Sequence, residues 1–195
     1  MPAIAEGFVK LTDEKRAGGA RTCWSEEAFQ RIFEENYGRV AAVLQRIVGD
    51  PSRAEDLAIE AFWRFYHQPQ VHEGEGNPGG WLYRTATRLG IDSLRAETRR
   101  WRYEQQAGRL LKPHSDAGPL EDVLRVERQA QVRRVLATLR PAQAQILILR
   151  ASGFSYHELS EALRVKRGGV GTMLIRAENQ FRKLYERLYG KQEEI

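Results

Sequence analysis

Between Trp81 and Glu104 the chain reads WLYRTATRLGIDSLRAETRRWRYE, with six arginines against three acids. Arg84, Arg88, Arg95, Arg99, Arg100 and Arg102 are suited to gripping a polyanion, because a guanidinium is always charged and forks its donors towards phosphate oxygens. Wound at about 100° per residue, five of them (84, 88, 95, 99 and 102) fall within about 60° of one another. Trp81, Tyr83, Trp101 and Tyr103 flank the stripe, and aromatic rings beside arginines are the side chains on which unpaired bases stack. Leu82, Ala86, Leu89 and Ala96 gather on the opposite side as a face to bury, while Ile91 falls among the arginines and Gly90 weakens the middle. A solvated basic face beside two core tryptophans has the same composition, so this stretch alone does not choose.

A second basic cluster lies near the end. Residues 164–191 hold eight Lys/Arg and two acids, a net +6. Just before it, Ser155-Tyr156-His157-Glu158 is an S-x-x-E capping box opening a short helix through Leu163. A turn at 164–166 then leads to a longer helix from about Arg167 to Tyr189, with Val170, Leu174, Ala177, Phe181, Leu184 and Leu188 inward. Short capped helix, tight turn and long basic helix make a helix-turn-helix pattern. Gly168, Gly169 and Gly171 each cost roughly 1 kcal/mol in a helix interior, less in a first turn. There they let backbone N–H groups approach a phosphate.

Other chemistry is missing from the pattern. His67, His72, His114 and His157 are scattered, Cys23 stands alone, and no Cys/His spacing suits zinc. The Gly/Pro-rich loop from Gln68 to Gly80 has no preceding strand and no GxxxxGK[ST], which argues against a phosphate cradle. No metal, cofactor or catalytic constellation is expected, so the protein is read as not an enzyme. A net charge of +5 and a pI near 9.5 point to polyanionic partners. With no signal-like or membrane-length apolar run and a single cysteine, a cytoplasmic protein without membrane insertion is expected.

The elements that must position these residues are helices. Residues 1–24 lack periodicity and read as a mobile extension. From Ser25, a partial cap, Phe29, Ile32, Phe33, Tyr37, Val40, Leu44 and Ile47 recur every three or four residues until Gly49. Asp50-Pro51 is an N-cap followed by a first-turn proline, with Ser52 and Glu55 as an alternative capping box. Leu57, Ala58, Ala61, Phe62 and Phe65 form the buried stripe of that helix, and Asp56 and Glu60 leave an acidic ridge with no lysine to pair it. Asn77-Pro78 opens the arginine helix. Residues 105–122 contain two prolines and two glycines and read as a linker. Beyond it, Leu124, Val132, Val135, Leu136 and Leu139 face inward, and Pro141 starts a helix that holds the β-like tetrad Ile146–Leu149 and stops at Gly153. The fold class is all-α: two small helical domains, residues 25–104 and 123–195, joined by a flexible linker.

Three blocks in order resemble the extracytoplasmic-function (ECF) sigma factors of the sigma-70 superfamily. FEENYGRVAAVLQRIVGDPSRAEDLAIEAFWRFY is similar to the segment whose acidic helix docks on the clamp helices of the largest subunit of RNA polymerase. The resemblance makes Asp50, Glu55, Asp56, Glu60, Phe62 and Arg64 the docking face. GWLYRTATRLGIDSLRAETRR is similar to the block that melts the minus-ten element, which implies Trp81, Arg84, Arg88, Arg95, Arg99, Arg100, Trp101, Arg102 and Tyr103 as contacts to single-stranded DNA. RPAQAQILILRASGFSYHELSEALRVKRGGVGTMLIRAENQF resembles the minus-thirty-five reader of duplex DNA, implying Ser155, Tyr156, Lys166, Arg167, Gly169, Thr172 and Arg176. Departures are Arg88 in place of a usual Asn, which implies a different base preference in the melting block, and Gly171 and Met173 in place of a typical Lys and Arg, which imply a changed or relaxed upstream specificity. Core RNA polymerase (clamp helices and flap), promoter DNA and an anti-sigma factor are the implied partners. The linker, with Asp116, Glu121 and Asp122, would thread the polymerase cleft. The competing class is a stand-alone helix-turn-helix regulator.

Overall fold

The computed structural model describes residues 25–68, 77–106 and 120–190, and these form seven helices and no strand. The expected N-terminal extension, most of the 68–80 loop and the middle of the linker lie outside the described residues.

In the first module, α1 (Glu26–Val48), α2 (Pro51–Tyr66) and α3 (Pro78–Gln106) pack side by side. Each start is chemically marked. Ser25 Oγ accepts from the Ala28 N–H at 3.2 Å. Asp50 accepts from the Arg53 N–H at 2.8 Å, so Asp50 and not Ser52 is the cap of α2. Asn77 Oδ1 accepts from the Gly80 N–H at 2.8 Å. Gly49, at φ 78°, closes α1 with a left-handed turn that glycine adopts without a Cβ clash. The core is aromatic: Phe33 meets Phe62 at 4.7 Å between centroids, and Phe29 meets Tyr66 edge-on at 5.0 Å. Leu82, Ala86, Ile91 and Leu94 of α3 complete it. Gly90 is required by packing: a Cβ there would lie 2.8 Å from Ile47 Cδ1 and 3.1 Å from Leu44 Cδ2, so α3 comes close to α1 only because the side chain is absent.

The second module contains α4 (Leu120–Thr138), α5 (Pro141–Ala151), α6 (Tyr156–Leu163) and α7 (Arg167–Tyr189). Ile146, Ile148 and Leu149 are buried in α5, so the β-like tetrad is helical. Three residues read as inward are not: Leu124, Val132 and Leu188 are exposed. Leu124 and Val132 line an unfilled cleft of about 840 Å³ between α1 and α4, ringed by Arg46, Arg125, Arg128 and Arg133.

The two modules do not stand apart. α3 packs against α4, α5 and α6, and the buried side chains make one continuous cluster through both modules. α3 runs on to Gln106 and α4 begins at Leu120, so both helices intrude on the expected linker.

Candidate nucleic-acid interface

On the arginine face of α3 the second module holds Arg84 and Arg95 but not Arg88, which lies between them. Near the start of the helix Arg84 is half-buried, and its Nη1 donates to the Ala162 carbonyl of α6 at 3.1 Å. Burial first, and then the nearby Arg164, lower the pKa of its guanidinium. Arg95, also half-buried, donates from Nε to the Ala137 carbonyl at 3.1 Å and from Nη2 to the Leu139 carbonyl at 2.8 Å. Ile91 shares this side of the helix and is buried, which resolves the oddity of an isoleucine among arginines. This part of the stripe faces the second module. Arg88, Arg99, Arg100 and Arg102 are exposed. Ala96, expected to be buried, is exposed too, because the helix outruns the first module's core there.

The aromatics also separate. Trp81 is half-buried and packs on Phe65 at 5.6 Å, so its ring belongs mainly to the core edge. Tyr83 is buried against Phe154 of the second module, edge-on at 4.7 Å. Burial raises its hydroxyl pKa more than the nearby Arg39 lowers it. Trp101 has the Arg134 guanidinium over one face at 4.1 Å. Tyr103 is 71% exposed, the one ring of the four that stands open to a base.

The second basic helix is arranged differently. Ser155 Oγ accepts from the Glu158 N–H while Glu158 Oε2 accepts from the Ser155 N–H at 2.8 Å, a complete capping box. Arg164 turns the chain in a left-handed conformation (φ 53°), and α7 follows from Lys166. Val170, Leu174 and Ala177 bury one side of α7, leaving Lys166, Arg167, Thr172 and Arg176 exposed on the rest. A Cβ added at Gly168 or Gly169 would have no atom within 4 Å, and one at Gly171 would meet only the Tyr156 ring edge at 3.8 Å. Tyr156 is itself exposed, with the Arg150 guanidinium 5.6 Å from its ring centre.

On α2, Asp50, Glu55, Asp56 and Arg64 are exposed and Glu60 is partly so. Two features of the expected docking face change. Phe62 is completely buried among Phe29, Phe33 and Tyr37, so it offers no surface. The acidic ridge is also not unpaired, since Glu60 Oε1 accepts from Arg64 Nε at 2.8 Å, one turn on. An arginine takes the place of the absent lysine.

Sequence reasoning missed Arg39, Gln145 and Phe154. Arg39 pairs with Glu158 at 2.8 Å and lies 4.1 Å over the Phe154 ring. Gln145 Nε2 donates to the Arg84 carbonyl and to Thr87 Oγ1, both at 3.1 Å. Nothing in the local period distinguishes these from surface residues, because the partners that Arg39 finds in Glu158 and Phe154, and Gln145 in Arg84 and Thr87, lie 58 or more positions away. Among the described residues no helix is long and apolar enough to cross a membrane, and no group of three or more His, Cys, Asp or Glu could hold a metal.

A strandless bundle ending in a capped helix, a left-handed turn and a basic helix with an open face defines an all-α helix-turn-helix protein. Residues 32–100 match the family model of Sigma-70 region 2, and residues 129–180 that of Sigma-70, region 4. The chain belongs to the sigma-70 family. It is similar to the ECF RNA polymerase sigma factor SigE of Mycolicibacterium smegmatis, 30% identical across 80% of this chain and 60% of that protein. It is also similar to the ECF RNA polymerase sigma factor BldN of Streptomyces coelicolor, 26% identical across 91% of this chain and 65% of that protein. The chain thus spans less than two thirds of the length of both relatives. A solved chain, the sigma factor RpoE in complex with the anti-sigma factor NepR from Bartonella quintana, matches at TM-score 0.45 and 20% identity over 81% of this chain and 96% of that one.

Proposed function

We propose that this protein is an ECF sigma factor that binds core RNA polymerase, recognises promoter DNA and directs transcription initiation. The observation that carries the reading is the pair of sigma-70 modules in order on one chain, each with exposed arginines. A stand-alone regulator has no need of the first module, so that alternative is not favoured.

In this reading the exposed carboxylates of α2 (Asp50, Glu55, Asp56, Glu60), with Arg64, meet the polymerase clamp helices. Phe62 supports that face from beneath. Arg88, Arg99, Arg100 and Arg102 hold phosphates of the single-stranded minus-ten element, Tyr103 takes a base, and Trp101, Arg84 and Arg95 join once released from the second module. α7 enters the upstream major groove through Lys166, Arg167, Thr172 and Arg176, with Tyr156 beside the gap at Gly171. The protein acts by binding and positioning, not by catalysis, and works in the cytoplasm. An anti-sigma factor is part of the same reading, on the ground of family membership.

Transcription in vitro with purified core polymerase on a fragmented genomic library, followed by sequencing of start sites, tests it. Start sites sharing upstream and minus-ten motifs are the expected result. No factor-dependent transcript, with tight duplex binding by the protein alone, would replace it with the stand-alone regulator.

A further inference from the structure

Gly171 leaves a gap on the flank of α7, and the side chains beside that gap come from outside the helix. We propose that Arg150, in the last turn of α5, is a phosphate contact of the duplex-reading surface, and that Tyr156 positions it. The pair then supplies the cation that Gly171 cannot carry. The proposal rests on the DNA-binding reading above for its ligand only.

The gap follows from helical register. Val170, Leu174 and Ala177 are buried, and at about 100° per residue Gly171 stands on the flank between that buried side and the exposed Thr172. A Cβ added at Gly171 would meet only Tyr156 Cε2, at 3.8 Å. Tyr156 is the first residue of α6 and is 45% exposed. The Arg150 guanidinium lies over its ring, 5.6 Å from the centre. Arg150 is itself exposed, and its Nη1 donates to the Phe154 carbonyl at 3.0 Å. The turn after α5 therefore holds the guanidinium from one side and the tyrosine ring from another. Among the described residues no carboxylate pairs with Arg150, whereas Arg39 and Arg64 meet Glu158 and Glu60 at 2.8 Å. One bond to a carbonyl uses a single donor of five and leaves the charge unanswered.

The position of the pair favours a phosphate over a base. In a helix-turn-helix the second helix enters the major groove while the first crosses the backbone, and Arg150 and Tyr156 stand together at the start of the first. A bare helix start would offer its own N–H groups to a phosphate. At α6 the capping box has taken two of them, because Glu158 Oε2 accepts from the Ser155 N–H and Ser155 Oγ from the Glu158 N–H. A cation at this edge must therefore come from a side chain, and Arg150 is the one that Tyr156 holds there. Phosphate contacts add grip without choosing a sequence, so base selection stays with α7.

The test uses the full-length protein and a fluorescent pool of random-sequence duplexes, with affinity measured from about 50 to 200 mM salt. Each phosphate neutralised adds about 0.9 to the steepness of log affinity against log salt. Arg150→Gln keeps an N–H for the Phe154 carbonyl and removes only the charge. It should weaken binding and lower the slope by about 0.9, and adding Gly171→Arg to it should restore the slope. Arg128→Gln, at an exposed arginine of α4, should leave the slope as it is. Tyr156→Ala should lower the slope and Tyr156→Phe should recover it, because the ring face returns. An unchanged slope in Arg150→Gln, or an equal fall in Arg128→Gln, overturns the phosphate contact. No restoration by Gly171→Arg overturns the claim that the pair stands in for residue 171. A parent that binds no duplex even at about 50 mM salt overturns the DNA reading, and the proposal with it. If Arg150→Gln does not fold, the two Tyr156 variants decide, and identical slopes for them overturn the proposal.

Discussion

α3 and α7 are both long basic helices containing glycines, and on a helical wheel they look alike. Their tertiary circumstances are opposite. In α3, Gly90 lets the helix approach α1, and Arg84 and Arg95 satisfy backbone carbonyls of the other module. In α7, a Cβ on Gly168 or Gly169 would meet no atom within 4 Å, and Arg167 and Arg176 are exposed. A basic stripe thus becomes a ligand face only where no other part of the chain has claimed its donors. By this measure α7 is a ready surface and α3 is one held in part by the protein itself.

The strongest way to break the comparison is Gly90→Ala. Overpacking against Ile47 and Leu44 should destabilise the first module by about 1–3 kcal/mol in urea unfolding. A neutral effect would show that α3 does not need its close approach. Next, Arg84→Ala with Arg95→Ala should cost the packing between the modules about 1–2 kcal/mol, read as faster amide exchange in α6. Arg167→Ala with Arg176→Ala should change that exchange by under about 0.5 kcal/mol. Equal effects from the two pairs would erase the distinction between the helices. Gly171→Ala should stabilise the second module by about 0.5–1 kcal/mol, since helix propensity improves and only a ring edge stands nearby. A lower melting temperature would mean that α7 has a packing need for that glycine.

The smallest effect is acid sensitivity at the contact between modules. Hydrogen bonds from the backbone and hydroxyl of Ser155, aided by Arg39, hold the Glu158 carboxyl down at about 2, from an ordinary 4.5. A depressed carboxylate contributes stability that is present in full above its unfolded value and is lost as pH falls through its folded value. The second module should therefore lose stability between about pH 4.5 and 2 more steeply than the Glu158→Gln variant does. Parallel urea midpoints for the two proteins across that range would remove this carboxylate from the acid response.

Much of the site is legible in the sequence because it is local. The Ser155–Glu158 box, the Asp50-Pro51 start and the Asn77-Pro78 start are short-range patterns, and each appears where its spacing places it. Sequence and structure part where the decisive partner is distant or on an unexpected side. The period of α2 puts Phe62 in the buried stripe, and the aromatic residues of α1 enclose it there, so it is the docking role implied by the resemblance that its burial does not fit. Leu124 and Val132 carry an inward period, yet α1 leaves a cleft in front of them. The Glu60–Arg64 pair is legible at a spacing of four, but only to a search for arginine as well as lysine.

By itself the amino-acid sequence determined the helices, their caps, the helix-turn-helix and the two basic faces, because caps, periods and charges act within a few residues. Only the tertiary structure decided which arginines are open. Arg84 and Arg99 are the same residue type on the same stripe, and what separates them is whether a carbonyl from a segment far along the chain lies within 3.1 Å. Burial and long-range pairing are properties of the packed chain, and no local period encodes them.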